Sequence, residues 1–142
     1  MVEICFVCTG NTCRSVMAER IARKKAKLRK MKDIKFSSCG LFATKENINP
    51  NTKKVLKELG YDARDRKSVK LGKIKPNVLY VAVTDNHKNR IPSKKCLSFK
   101  DLYGEVPDPY GQSEDVYRLT CRMIEKNVDL LLDKIEKMRG DL

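Results

Sequence analysis

No stretch of the 142-residue chain approaches the roughly 20 apolar residues that a membrane-spanning helix needs. The opening, MVEICFV, has no basic start and too short an apolar run for a secretory leader, so a cytoplasmic protein is expected. With His87 as its single histidine, the chain has little from which to assemble a zinc site, and no metal or cofactor is expected. The Walker A spacing G-x-x-x-x-G-K-S/T is absent, so ATP binding is not implied. Repeats, low-complexity tracts and linkers are missing too, which leaves residues 1–142 as one domain.

What is present is apolar residues at 41%, enough for a core, and a net charge of +13. The six cysteines, Cys5, Cys8, Cys13, Cys39, Cys96 and Cys121, read as buried, catalytic or redox-active thiols rather than as a disulfide framework. Much of the positive excess lies in Arg20, Arg23, Lys24, Lys25, Lys27, Arg29, Lys30 and Lys32, on one expected helix. A solvated helix face explains that run. No aromatics interleave with it, as single-strand nucleic-acid binding would want, so nucleic acid is not an expected partner. A positive field does draw phosphorylated substrates.

Strand and helix patterns alternate. Val2–Cys8 is an almost continuous apolar run, expected of a strand buried on both faces. A helix is expected over Ser15–Met31, with Met17, Ile21, Leu28 and Met31 at helical spacing. Ile34–Ser38 reads as a second strand. Asn49 caps a further helix that Gly60 ends, with Val55, Leu56 and Leu59 turned inward. Val78–Val83 reads as a central strand, Asn86–Ile91 as a short helix and Cys96–Phe99 as an edge strand. A loop, GEVPDPYGQ, leads to a last helix capped by Ser113 and ended by Gly140, along which Val116, Leu119, Met123, Ile124, Leu131, Ile135 and Met138 recur. This alternation predicts an α/β fold of three layers, a four-stranded parallel sheet flanked by helices on both faces. Ligands in such sheets bind beyond the carboxyl ends of the strands.

The segment VCTGNTCRS lies at such an end, between the first strand and the first helix. Backbone N–H groups of a loop there converge, and with the helix dipole behind them they form an anion cradle. Arg14 adds a planar fork that suits two phosphate oxygens. Cys8 sits at the floor of this positive pocket, which favours the thiolate and makes it a nucleophile towards a bound phosphoryl group. Gly10 is expected to allow close approach or positive φ, and Asn11 to tolerate left-handed backbone and tie the loop internally. Ser15 is expected to donate to the Cys8 sulfur. Thr12 projects near the pocket rim, and Thr9 and Cys13 complete the loop. Phosphoryl transfer to a thiolate also needs a proton donor for the leaving group, and VPDPYG supplies Asp108 between Pro107 and Pro109, with Tyr110 as a pocket wall.

VCTGNTCRSVMAE, SSCGLF and DPYG together resemble the low-molecular-weight protein tyrosine phosphatases, and the likeness covers essentially the whole chain. It implies a phosphocysteine intermediate on Cys8, Arg14 as phosphate clamp and Asp108 as general acid. It implies that Asn11, Ser15 and Ser38 brace the loop, and that Cys13 forms a reversible, protective disulfide with Cys8. The implied ligands are phosphorylated proteins, inorganic phosphate and other oxyanions. Val16 replaces the frequent proline after the Arg-Ser pair, Gly111 replaces a second tyrosine after Tyr110, and a frequent histidine near DARDRKS is missing. Thr12, GLFA and DPYGQSEDVY are similar to the protein arginine phosphatase branch, which makes phosphoarginine an alternative to phosphotyrosine.

Thioredoxin-coupled arsenate reductases have a similar loop and are the other enzyme reading. They need further cysteines on a mobile segment after the third strand, and here Cys96 is the only one that follows it closely.

Overall fold

The computed structural model of the protein describes residues 2–140. Four strands, β1 (Val2–Cys8), β2 (Ile34–Gly40), β3 (Val78–Ala82) and β4 (Cys96–Ser98), form one parallel sheet in the order β2-β1-β3-β4. Helices α1 (Arg14–Leu28), α2 (Pro50–Glu58), α3 (Asp85–Lys88) and α4 (Glu114–Gly140) alternate with them. The strand order reverses at β1, whose neighbours β2 and β3 leave in opposite directions. That switch point opens a crevice at the carboxyl end of β1, where Cys8 lies.

The period-two alternation of β1 divides its side chains between two cores. Ile4, Phe6 and Cys8 join Val16, Met17 and Ile21 of α1 and Tyr117, Cys121, Ile124 and Val128 of α4. Cys5 and Val7 join Cys39, Tyr80 and Ala82 on the other face, closed by Ile91, Leu71 and Ile74. Cys5 and Cys8 stand at C-x-x-C spacing, yet the strand sends them into opposite layers. Fully buried side chains such as Phe6 and Ile21 contribute roughly 1.5–3 kcal/mol each. No helix among the described residues is long and apolar enough to cross a membrane.

Element ends differ from expectation for local reasons. Helix α1 stops at Leu28 rather than Met31, because Lys30 adopts left-handed backbone (φ 58°) and the N–H groups of Lys30 and Met31 turn back to the carbonyls of Lys27 and Ala26. Gly60 (φ 85°) closes α2 the same way, as its sequence position implied. Strand β2 runs to Gly40, two residues past Ser38, because Cys39 and Gly40 still pair with Val7 and Cys8. Strand β3 ends at Ala82 rather than Val83; α3 starts at Asp85, one residue before Asn86, because Thr84 caps it, and ends at Lys88 rather than Ile91, where the N–H groups of Arg90 and Ile91 turn to the carbonyls three residues back. Phe99 leaves β4 and starts a 3₁₀ turn whose capping box joins Ser98 and Asp101. Along α4 the buried stripe is Tyr117, Cys121, Ile124, Val128, Leu131, Leu132 and Ile135, whereas Leu119 and Met138 face solvent.

The basic run of α1 is not an open stripe. Arg20 and Arg23 pair with the buried Glu19, and Arg20 also with Asp62. Lys25 and Arg29 meet Asp129, Asp133 and Glu136 of α4. Lys30 and Lys32 lie beyond the helix end.

Candidate active site

The chain leaves β1 at Cys8 and enters α1 at Arg14, and the loop between them encloses a pocket of about 250 Å³ lined by Cys8 to Arg14 with Glu46, Asp108 and Tyr110. The residues singled out in the sequence therefore converge. Cys8 is buried at the pocket floor, with its Sγ 2.9 Å from Ser15 Oγ and 3.3 Å from the backbone N of Asn11.

Asn11 is fully buried and its side chain makes four hydrogen bonds, which tie the loop to the elements around it. Its Nδ2 donates to Ser15 Oγ (2.8 Å) and Ser38 Oγ (3.0 Å), and its Oδ1 accepts from Arg66 Nη1 and the Val69 N–H, each at 2.9 Å. It also carries the left-handed backbone of the loop, at φ 56°. Ser38 passes the network on by donating to Glu19 Oε1 (2.6 Å). Glu19 is a buried carboxylate that Arg20, Arg23 and Arg66 neutralise, so its burial is not left uncompensated.

Gly10, expected to be the permissive glycine, does not use left-handed backbone, and a Cβ there would meet nothing closer than Thr12 Oγ1 at 3.8 Å. Gly40 is the glycine the loop requires. A Cβ on it would lie 2.6 Å from the Thr9 carbonyl oxygen and 2.8 Å from the Asn11 nitrogen. The loop rests directly on the end of β2 and is pinned there by the N–H groups of Leu41 and Phe42, which donate to the Cys8 and Thr9 carbonyls.

Arg14 is buried; its Nη1 donates to the Val106 carbonyl (2.9 Å) and its Nη2 lies 3.9 Å from Asp108 Oδ2. Val106 in turn donates to the Val83 carbonyl, which fastens the Asp108 loop to the end of β3. Asp108 keeps about half its side chain exposed and accepts from the Tyr110 N–H (3.1 Å), an Asx-type turn. Tyr110 is an exposed wall at the rim, and Thr12 lines the same rim. Cys13 packs against the Tyr117 hydroxyl, and burial raises its thiol pKa.

Three contributors have little signature in the sequence. Arg66 reaches Asn11, Ser38 and Glu19 from the segment DARDRKS, which lacks the histidine frequent in the family. Glu19 looks like one more surface residue of a charged helix. His87 sits beneath Thr9 with Nε2 2.8 Å from Thr9 Oγ1 and Nδ1 2.6 Å from Thr84 Oγ1. Burial, helped by the Arg14 charge, pushes its pKa down to about 4, so the ring is neutral near pH 7. Both nitrogens are engaged. Cys96 lies on the edge strand and packs on the sheet face opposite Cys8.

Residues 3–140 match the family described as low molecular weight phosphotyrosine protein phosphatase. A protein-arginine-phosphatase of Geobacillus stearothermophilus is 33% identical, the alignment covering 94% of this chain and 96% of that protein. The crystal structure of a low molecular weight protein tyrosine phosphatase from T. tengcongensis superposes with a TM-score of 0.85 at 34% identity, over 94% of this chain and 99% of that one. A YwlE arginine phosphatase mutant with a phosphorylated active-site serine superposes equally well, at TM-score 0.85 and 28% identity over 98% and 99% of the two chains.

Proposed function

The chain belongs to the low-molecular-weight phosphotyrosine protein phosphatase family, and on that premise we propose that it is a cytoplasmic, cysteine-dependent protein phosphatase that hydrolyses phosphotyrosine or phosphoarginine through a phosphocysteine. The observation that carries the reading is the shared pocket, in which the Cys8 sulfur faces the same space as Asp108 and the Arg14 guanidinium.

The thiolate of Cys8 attacks phosphorus in line. The bond from phosphorus to the phenolic oxygen or guanidino nitrogen breaks, its electron pair leaves with that atom, and Asp108 supplies the proton. Arg14 and the loop N–H groups hold the equatorial oxygens, where charge concentrates in the transition state. Water then attacks the phosphocysteine, Asp108 takes the water's proton, and sulfur leaves as a thiolate stabilised by the Ser15 hydroxyl and the Asn11 N–H. The phosphorylated serine in the related arginine phosphatase mutant supports attack from this loop position. The six free thiols fit a reducing compartment.

Purified protein is expected to release inorganic phosphate from phosphotyrosine and phosphoarginine peptides. Assayed beside them, arsenate with a thioredoxin couple is the contrasting substrate. Arsenate reduction without phosphate release from either peptide would overturn the reading in favour of a reductase.

A further inference from the structure

Beside the active-site pocket, and joined to it through the Glu46–Ser68 hydrogen bonds, lies a second groove of about 410 Å³ lined by Ala43, Thr44, Lys45, Ser68, Val69 and Lys70. The phosphoryl chemistry makes no use of it. Its two walls are the segments that follow β2 and precede β3, joined by bridges between Gly40 and Lys70 and between Asn47 and Lys67. Ser68 clamps Glu46 from both sides, its Oγ accepting from the Glu46 N–H (2.9 Å) and its N–H donating to the Glu46 carbonyl (2.7 Å). The Val69 N–H is held by Asn11 Oδ1, so this wall is fastened to the phosphate loop. The groove is therefore built at a fixed offset from Cys8.

Its chemistry is one-sided. The floor offers Ala43 and the half-exposed Val69, while Lys45 and Lys70 are exposed and, among the described residues, neither pairs with a carboxylate. Glu46, adjacent to Lys45, is the acid beside the groove, and the stretch after it is basic. Between Lys67 and Lys95 the chain has eight lysines and arginines against one acid, Asp85, and Asp85 is already paired with Lys100.

We propose that this groove is a subsite for an acidic residue flanking the phosphorylated residue of a protein substrate. A glutamate suits it best, with its methylenes on Ala43 and Val69 and its carboxylate between Lys45 and Lys70. Glu46 lines the phosphate pocket and repels a carboxylate placed directly over it, so the acid is read one step away from the phosphoryl group. The inference rests on the protein-phosphatase reading, and complementary charge at such a subsite sets substrate choice more than turnover.

The test uses matched phosphotyrosine and phosphoarginine peptides that differ only in carrying glutamate, alanine or lysine at the flanking positions. The readout is the ratio of kcat/KM for acidic over basic peptides within one enzyme, so a general change in activity does not move it. The wild type is expected to favour the acidic peptides. Lys45→Glu with Lys70→Glu should shrink or invert that ratio by about 1.4- to fivefold for each lysine, the scale of exposed charge pairs. Lys134→Glu with Lys137→Glu, an equal change of net charge on α4, should leave it unmoved. Equal ratios in wild type and groove variant would overturn the subsite, and so would an equal shift in the α4 variant. Binding of an RNA oligonucleotide by the wild type that Lys45→Glu with Lys70→Glu abolishes, together with equal kcat/KM for acidic and basic peptides in the wild type, would also overturn it and give the face to nucleic acid. Turnover of a small aryl phosphate reports on the phosphatase reading separately.

Discussion

Ser15 Oγ lies 2.9 Å from Cys8 Sγ while accepting a hydrogen bond from Asn11 Nδ2 at 2.8 Å. The amide orients the hydroxyl, so its own proton is directed at the sulfur. A thiolate leaving from phosphorus is stabilised by that donor more than the uncharged sulfur of a phosphocysteine is, so in the proposed mechanism the bond should act mainly on the second chemical step.

Ser15→Ala is therefore expected to slow hydrolysis of the intermediate by about 10–100-fold, the scale of one hydrogen bond to a charged group. Rapid quench with an aryl phosphate should show a burst of phenol close to the wild-type burst, followed by a slower steady state. Equal slowing of both phases would place the hydroxyl in the attack step instead.

Asp108→Asn retains the shape of the turn and removes the proton. A good leaving group such as para-nitrophenol needs little protonation, whereas a poor one depends on it by roughly 10²–10⁴ in rate. The variant should lose much more activity on a phenyl phosphate bearing no nitro group than on its nitro counterpart. A uniform loss across the two would remove Asp108 from the acid role.

Gly40→Ala places a methyl group 2.6 Å from the Thr9 carbonyl oxygen and 2.8 Å from the Asn11 nitrogen. Both are backbone atoms, so the loop must move as a unit. Stability is expected to fall by about 1–3 kcal/mol from the overpacking alone, and turnover by about 10²-fold because the cradle no longer fits the phosphoryl group. Gly72→Ala and Gly104→Ala meet nothing within 4 Å and serve as controls. Thermal unfolding and steady-state kinetics on the three variants decide it.

The contrast between Gly10 and Gly40 shows where sequence reading stops. The loop, its cysteine, arginine and serine, and the strand and helix on either side are local in sequence, and their pattern forecasts their geometry. Ser38 was reached only through family likeness, because its partner Asn11 is 27 positions away. Gly40, Arg66 and His87 act on the loop across separations of similar or greater length, and each has an ordinary local role available, as strand end, surface cation or core histidine. Nothing in their own neighbourhoods marks them. The same limit explains the charged face of α1, whose counter-ions sit about a hundred residues later on α4.

Cys13 shares the loop with Cys8, and its thiol is buried against Tyr117. Peroxide is expected to oxidise Cys8 to a sulfenic acid with loss of water, and Cys13 to condense with it, releasing a second water and forming a disulfide. Activity should return with dithiothreitol. In Cys13→Ser the sulfenic acid has no such partner and should proceed to the sulfinic acid, which dithiothreitol does not reverse. Peptide mass spectrometry should find Cys8 joined to Cys13 and Cys121 still reduced. A dominant Cys8–Cys96 bridge would contradict this and favour the reductase chemistry.

His87 joins the phosphate loop to the end of β3 through Thr9 and Thr84, using one ring nitrogen for each. A neutral imidazole has one donor and one acceptor nitrogen, which the two hydroxyls match. Burial first, and then the Arg14 charge and Arg90, hold the pKa near 4 against the opposing pull of Asp108 and Glu105. An unfolded chain binds that proton at about 6.5, so between pH 6.5 and 4 the unfolded state carries more protons than the folded one. Stability from this group is thus fully present above about pH 6.5 and declines as pH falls towards 4, by on the order of 2–3 kcal/mol. His87→Gln keeps polar contacts to both threonines but has no charge to gain. Urea midpoints measured for both proteins from pH 4.5 to 7.5 should converge at the acid end and separate at neutral pH, with the wild type the more stable there. Parallel curves would show that His87 takes up its proton at the same pH in the folded and unfolded chains, and that its burial against Thr9 and Thr84 does not disfavour the charged ring.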